Sequence, residues 1–146
     1  MQPHEMPAAA KKLATQAHQG QLDKAGMPYI QHPARVAAAF PDRLDLQTIA
    51  WLHDVVEDTD VTLNNLHRLF PSYVVMAVDA LTHRKGEDRE LYYRRVRANE
   101  RARLVKHADI DDNADPGRLA VLDEAIRDRL VAKYAKARTA LAPVQP

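Results

Sequence analysis

Between residues 51 and 60 the chain reads WLHDVVEDTD, which gathers His53, Asp54, Glu57, Asp58 and Asp60 into one short segment. If this segment is helical, Glu57 lies four residues on from His53, and Asp58 four on from Asp54. Adjacent residues such as His53 and Asp54 are about 100° apart around a helix axis, so both can reach one ion at its edge. The preceding residues, 49–52, are apolar and should be buried. A row of carboxylates emerging from a buried stripe is costly without a compensating charge. The acids therefore either form a solvated helix face or surround a cation.

A cation needs more donors than one His-Asp pair. His32 precedes Pro33 at a helix start, after the turn AGMPYI. Asp109 lies in VKHADIDDNAD, where it competes with Asp111 and Asp112. His32, His53, Asp54 and Asp109 would make a mixed site in which two carboxylates neutralise a divalent ion. Imidazole disfavours Mg²⁺ and Ca²⁺, and the lack of thiolates argues against structural zinc. Manganese or iron, at higher coordination number, would leave positions for water and substrate.

These residues need helices to hold them, and the chain reads as helical throughout. A first helix covers 7–20 and stops at Gly20. A connection punctuated by Gly26, Pro28 and Pro33 follows over 21–33, and Pro33 sits in the first turn of the next helix, ARVAAAF. The apolar spacing of Leu46, Ile49, Leu52, Val55 and Val56 predicts one helix over 45–58. Thr62 opens a short helix that Pro71 ends, and 72–82 is expected to be helical with Ser72 as its cap. A charged loop, 84–90, precedes helices over 90–99 and 100–115, and a long last helix spans 117–141. No segment alternates convincingly as a strand. The expectation is an all-α bundle forming a single domain over 1–146, with its core at about 7–141 and a flexible tail at 142–146.

The bulk composition narrows the classes of function. A chain of 146 residues is the size of one domain. Its 21 Lys+Arg and 20 Asp+Glu leave a net charge of +1, which gives no reason to expect a nucleic-acid or membrane partner. There is no cysteine, hence no disulfide framework and no thiol nucleophile. No apolar run approaches the ~20 residues that span a bilayer, and no signal-peptide pattern opens the chain, so a cytoplasmic location is expected.

Read together, three patterns carry a resemblance: H-x-G-Q…K-x-G-x-P-Y-I-x-H-P over 18–33, L-H-D-x-V-E-D-T over 52–59, and V-K-x-A-D-x-x-x-N over 105–113. In this order they resemble the HD hydrolase domain of the RelA/SpoT family, over roughly residues 9 to 119, and most of all its small single-domain alarmone hydrolases. The resemblance implies an HD-type helical bundle holding Mn²⁺, with Fe²⁺ or another divalent transition metal as alternatives. It puts the ligands on His32, His53, Asp54 and Asp109, the register choosing Asp109 over its acidic neighbours. Glu57 and Asp58 become the catalytic acids that position or deprotonate the attacking water. Asn113 and Lys24 fall in the substrate-binding set, with Tyr29, His18 and Lys85 as further members. Each of those three has a plain alternative: packing for Tyr29, a structural role for His18, and a solvated basic loop for Lys85, next to Arg84. Lys106 is as readily an ion-paired lysine as a phosphate contact, and His83 reads as a surface residue.

The implied activity is removal of pyrophosphate from the 3′ position of guanosine tetra- or pentaphosphate, with a small-molecule nucleotide as the partner. Two positions depart from the family's pattern. Asp23 stands where it usually has arginine, before Lys24, and Asp115 stands where it tends to carry arginine two residues after Asn113. A carboxylate neither stacks on a base nor binds phosphate. This favours, as alternatives, a phosphatase or nucleotidase for another nucleotide, in which case arginine restored at both positions should raise alarmone hydrolysis. A nucleotide-binding regulatory module without turnover is the other alternative.

Overall fold

The computed structural model describes residues 1–143. The helices in chain order are α1 (Met6–Ala17), α2 (Gln31–Ala38), α3 (Leu44–Leu52), α4 (Val55–Asp58), α5 (Leu63–His67), α6 (Ser72–Leu81), α7 (Arg89–Ala98), α8 (Glu100–Asn113), α9 (Pro116–Leu119) and α10 (Glu124–Leu141). Among the described residues there is no strand, only an isolated antiparallel bridge between Leu22 and Pro28. The all-α expectation holds. Among the described residues no helix is long and apolar enough to cross a membrane. Residues 144–146 of the expected tail lie outside the described residues.

Two helices form the centre. α3 buries Leu46, Ile49, Ala50 and Leu52 and packs on α1, α2, α6 and α8. α8 buries Ala102, Val105 and Ile110 and packs on α2, α3, α6, α7 and α10. The metal-type residues sit where these helices meet. His32 lies in the first turn of α2, His53 ends α3, and Asp109 lies on the inner face of α8. Trp51, half-buried on α3, carries the Lys11 ammonium of α1 over its ring at 5.8 Å.

Several boundaries differ from the expected ones, each for a local reason. The helix expected over 45–58 is two: α3 ends at Leu52 and α4 starts at Val55. His53 turns its Nδ1 to the Ala50 carbonyl at 2.6 Å, and Asp54, at φ −109° and ψ −3°, redirects the chain. α4 closes when the Thr59 hydroxyl donates to the Val55 carbonyl. The helix expected over 117–141 is also split. Asp115 accepts from the Arg118 N–H and caps the one-turn α9, and the chain turns before α10 begins. α1 stops at Ala17, with Gly20 (φ +83°) in the turn beyond. Pro71, not Ser72, caps α6. Thr62 does cap α5, in a reciprocal pair with Asn65.

Candidate metal and nucleotide site

The break after α3 sets the direction of His53. A carbonyl offers only lone pairs, so His53 Nδ1 carries the proton and donates to Ala50, and Nε2 faces inward. His32 is held similarly: its Nδ1 lies 2.7 Å from Asp112 Oδ2, which leaves Nε2 facing Asp109 Oδ1 at 2.8 Å. One donor atom each from His32, His53 and Asp109 lies within 4.8 Å of the others, and all three residues are buried. Asp54 Oδ2 borders the group, 3.0 Å from His53 Nε2 and 3.8 Å from His32 Nε2.

This donor set fits a divalent cation. The buried His53 Nε2 makes no hydrogen bond despite two carboxylates within 3.4 Å. Two imidazole nitrogens converging on carboxylate oxygens need a positive charge between them. Burial alone would lower the His53 pKa, but the charges of Asp54 and then Asp109 hold it well above the ordinary value.

The surrounding side chains fix the carboxylates. Asp109 Oδ1 accepts from Asn113 Nδ2 at 3.1 Å, and Oδ2 from Lys106 Nζ at 2.9 Å. Burial disfavours a charged Lys106, yet the negative charge of Asp109 holds its pKa well up. Tyr29 donates its hydroxyl to Asp54 Oδ2 at 2.5 Å. Burial, then the Asp54 charge, pushes the phenol pKa far up, so Tyr29 stays a neutral donor.

Glu57 and Asp58 sit one turn beyond, at the open side of the site. Glu57 Oε1 accepts the backbone N–H of His83 at 2.8 Å, which ties α4 to the loop after α6. Burial, then the charges of Asp54 and Glu57, raises the Asp58 carboxyl to about 6. Both acids line a cleft of about 360 Å³ that also exposes Asp54, Asp109 and Asn113. Lys24, Arg89, Lys106 and Lys133 supply positive charge around it. A second cavity, of about 470 Å³, shares Lys24, Tyr29, Asn113 and Tyr134 with the cleft and so adjoins it.

The structure therefore brings together His32, His53, Asp54, Asp109, Glu57, Asp58, Lys24, Tyr29 and Asn113. His18 lies behind them, its Nδ1 2.8 Å from Gln21 Oε1 and its ring 5.0 Å from that of Tyr29. It lines neither cavity and supports Tyr29 instead. Lys85 is exposed and lines neither cavity, while its neighbour Arg84 is turned onto Asp79. His83, expected at the surface, is half-buried and lines the cleft. Arg89 and Lys133 carried no local signal, since they belong to helices that meet only in the folded bundle; Asp112, which competed with Asp109 in the sequence, instead holds the His32 imidazole.

No protein-family profile matches the chain. Over 73 residues, 48% of the chain, it is 47% identical to the guanosine-3′,5′-bis(diphosphate) 3′-pyrophosphohydrolase of Vibrio cholerae. It is 35% identical over 111 residues, 69% of the chain, to the protein of that name from Danio rerio. The match spans 10% of the Vibrio cholerae protein's length and 60% of the Danio rerio protein's. A solved structure described as a metazoan ortholog of SpoT that hydrolyses ppGpp superposes with a TM-score of 0.78 at 26% identity, covering 97% of this chain and 88% of that one. With the paired histidines and acids at the meeting point of α2, α3 and α8, these likenesses make the chain similar to the RelA/SpoT-type HD-domain hydrolases in sequence and in fold.

Proposed function

We propose that the protein hydrolyses the 3′-pyrophosphate of guanosine tetra- or pentaphosphate in a metal-dependent reaction. The observation that carries this reading is the convergence of His32, His53 and Asp109 beside a carboxyl, Asp58, raised to about 6. The names of the Vibrio cholerae and Danio rerio relatives support the choice of substrate.

In this reading His32, His53, Asp54 and Asp109 hold a manganese ion, with iron or another divalent transition metal as alternatives. The chemistry such an ion supplies is Lewis acidity, which makes water a nucleophile near neutral pH and polarises a phosphoryl oxygen. Asp112 and the Ala50 carbonyl hold the two imidazoles with Nε2 inward. Asp58 is ionised at pH 7 and takes the proton of the attacking water on its carboxylate, its pKa of about 6 being close to the working pH. Glu57, engaged by the His83 N–H, fixes α4 and so the aim of Asp58. Lys24, Arg89 and Lys133 face the charge of the diphosphate, and Asn113 orients Asp109 at the junction with the second cavity. The bond between phosphorus and the 3′ oxygen breaks, the 3′ oxygen takes up a proton to become a hydroxyl, and the products are the nucleoside 5′-di- or triphosphate and pyrophosphate. The reading includes a cytoplasmic location and a single domain, with neither nucleic acid nor membrane as a partner.

The test is release of phosphate and pyrophosphate from a panel of ppGpp, pppGpp, GTP and deoxynucleoside monophosphates, with Mn²⁺ and with chelator. Pyrophosphate from ppGpp only with Mn²⁺ is expected. Turnover of another nucleotide with ppGpp untouched overturns the substrate and keeps the metal centre.

A further inference from the structure

Asp23 and Asp115, the two acids that depart from the resembled pattern, meet on one residue. Asp115 accepts the backbone N–H of Arg118 at 3.1 Å and so starts the turn that carries it. Asp23 Oδ2 accepts from Arg118 Nη2 at 3.3 Å, while its Oδ1 takes the N–H groups of Ala25 and Met27, both at 2.9 Å. The guanidinium is further held through Nη1, which donates to Asp112 Oδ2 at 2.8 Å and to Asn113 Oδ1 at 3.3 Å. The cation missing at positions 23 and 115 is thus present three residues beyond Asp115, anchored on four sides.

Arg118 lines the 470 Å³ cavity that adjoins the metal cleft. The walls around it include Leu22, Met27, Leu119, Leu122 and Leu130, which suit a flat ring. Asp23 answers Arg118, and Asp112 answers both Arg118 and Arg35, so the cavity's guanidiniums are already paired. A phosphate gains little from cations so neutralised, whereas an uncharged base with polar edges loses nothing to them. Of the five guanidinium N–H groups, Nε–H and one on Nη2 have no partner among the described residues. Neighbouring N–H groups of a guanidinium form the fork that pairs with the O6 and N7 acceptors of guanine and that meets a donor at adenine's N6.

Building on the proposed activity, we propose that Arg118 is the residue that selects a guanine base, with Asp23 and Asp115 as its positioning residues. The experiment compares kcat/KM for the guanosine and adenosine 3′,5′-bis(diphosphates) on the wild-type chain, R118K and R118Q. Calorimetric binding of GDP and ADP to the same proteins is measured alongside, with a thermal melt of each variant. The wild type should favour guanosine roughly 5- to 150-fold, the discrimination one bidentate pair supplies. R118K keeps a cation for Asp23 and Asp112 and should melt near the wild type, yet lose the fork and bring the ratio towards unity. R118Q should lose it as well. An R118K protein that discriminates as the wild type does, or a wild type indifferent to the base, overturns the proposal. If neither bis(diphosphate) is hydrolysed but GDP is preferred over ADP only while Arg118 is present, the base assignment stands and the proposed activity fails.

Discussion

Asp58 is a carboxyl crowded by two others, and its titration should show it. Its folded pKa, about 6, is raised above the ordinary 3.8, so the folded protein binds the proton more tightly than the unfolded chain does. The cost of burying its charge, and then of repulsion from Asp54 and Glu57, is therefore absent at low pH and grows as pH rises from about 3.8 through 6. In chelator-treated protein, Asp58→Asn should raise the melting temperature at pH 8, with the gain shrinking towards zero at pH 4; an equal gain at both pH values would contradict the crowding. In Mn²⁺-loaded protein the same substitution should lower kcat by roughly 10²–10⁴, the contribution of a general base. The acids were visible in the sequence because they stand in one decapeptide. Their division of labour was not, since Glu57 is defined by the His83 N–H, 26 residues away, and Asp58 by its burial.

At the scale of elements, the breaks matter more than the helices. Apolar spacing carried straight through 53–54 because Val55 is buried on the same side as Ile49 and Leu52. Nothing in that periodicity records a histidine that bonds its own backbone. The split between α9 and α10 was hidden for a different reason: Asp115-Pro116 marks only the start, and residues 120–123 hold no glycine or proline to record the turn. The loop over 21–30 and α9 are now joined through Arg118 and Asp23. Restoring arginine at position 23 therefore should not improve the protein. Asp23→Arg removes the carboxylate oxygen that accepts two backbone N–H groups and sets one guanidinium against another, a loss of about 2 kcal/mol read by chemical denaturation. Unchanged stability would mean that the Asp23 contacts are dispensable.

For the molecule as a whole, the bundle was legible from helix formers, proline punctuation and the absence of strand alternation. The cavity beside the metal cleft was not, because its lining comes from the 21–31 loop, α2, α8, α9 and α10, elements far apart in the chain. Under the proposed function the same convergence makes an ion part of the fold. α2, α3 and α8 bring His32, His53 and Asp109 to one buried point, and a cation that binds only the folded state stabilises all three at once. Mn²⁺ at a hundred times its dissociation constant should add about 2.7 kcal/mol, and EDTA should remove it; His53→Ala should abolish the response. A melting temperature indifferent to both additions would contradict a metal at this position.

The protein also carries its own optical reporter. Trp51 is the single tryptophan, two residues before His53 on the helix that ends at the metal-type cluster. Every change in indole emission therefore arises at one known place. A paramagnetic ion would quench it by proximity, so occupancy could be followed in unlabelled protein, without a substrate and without a dye.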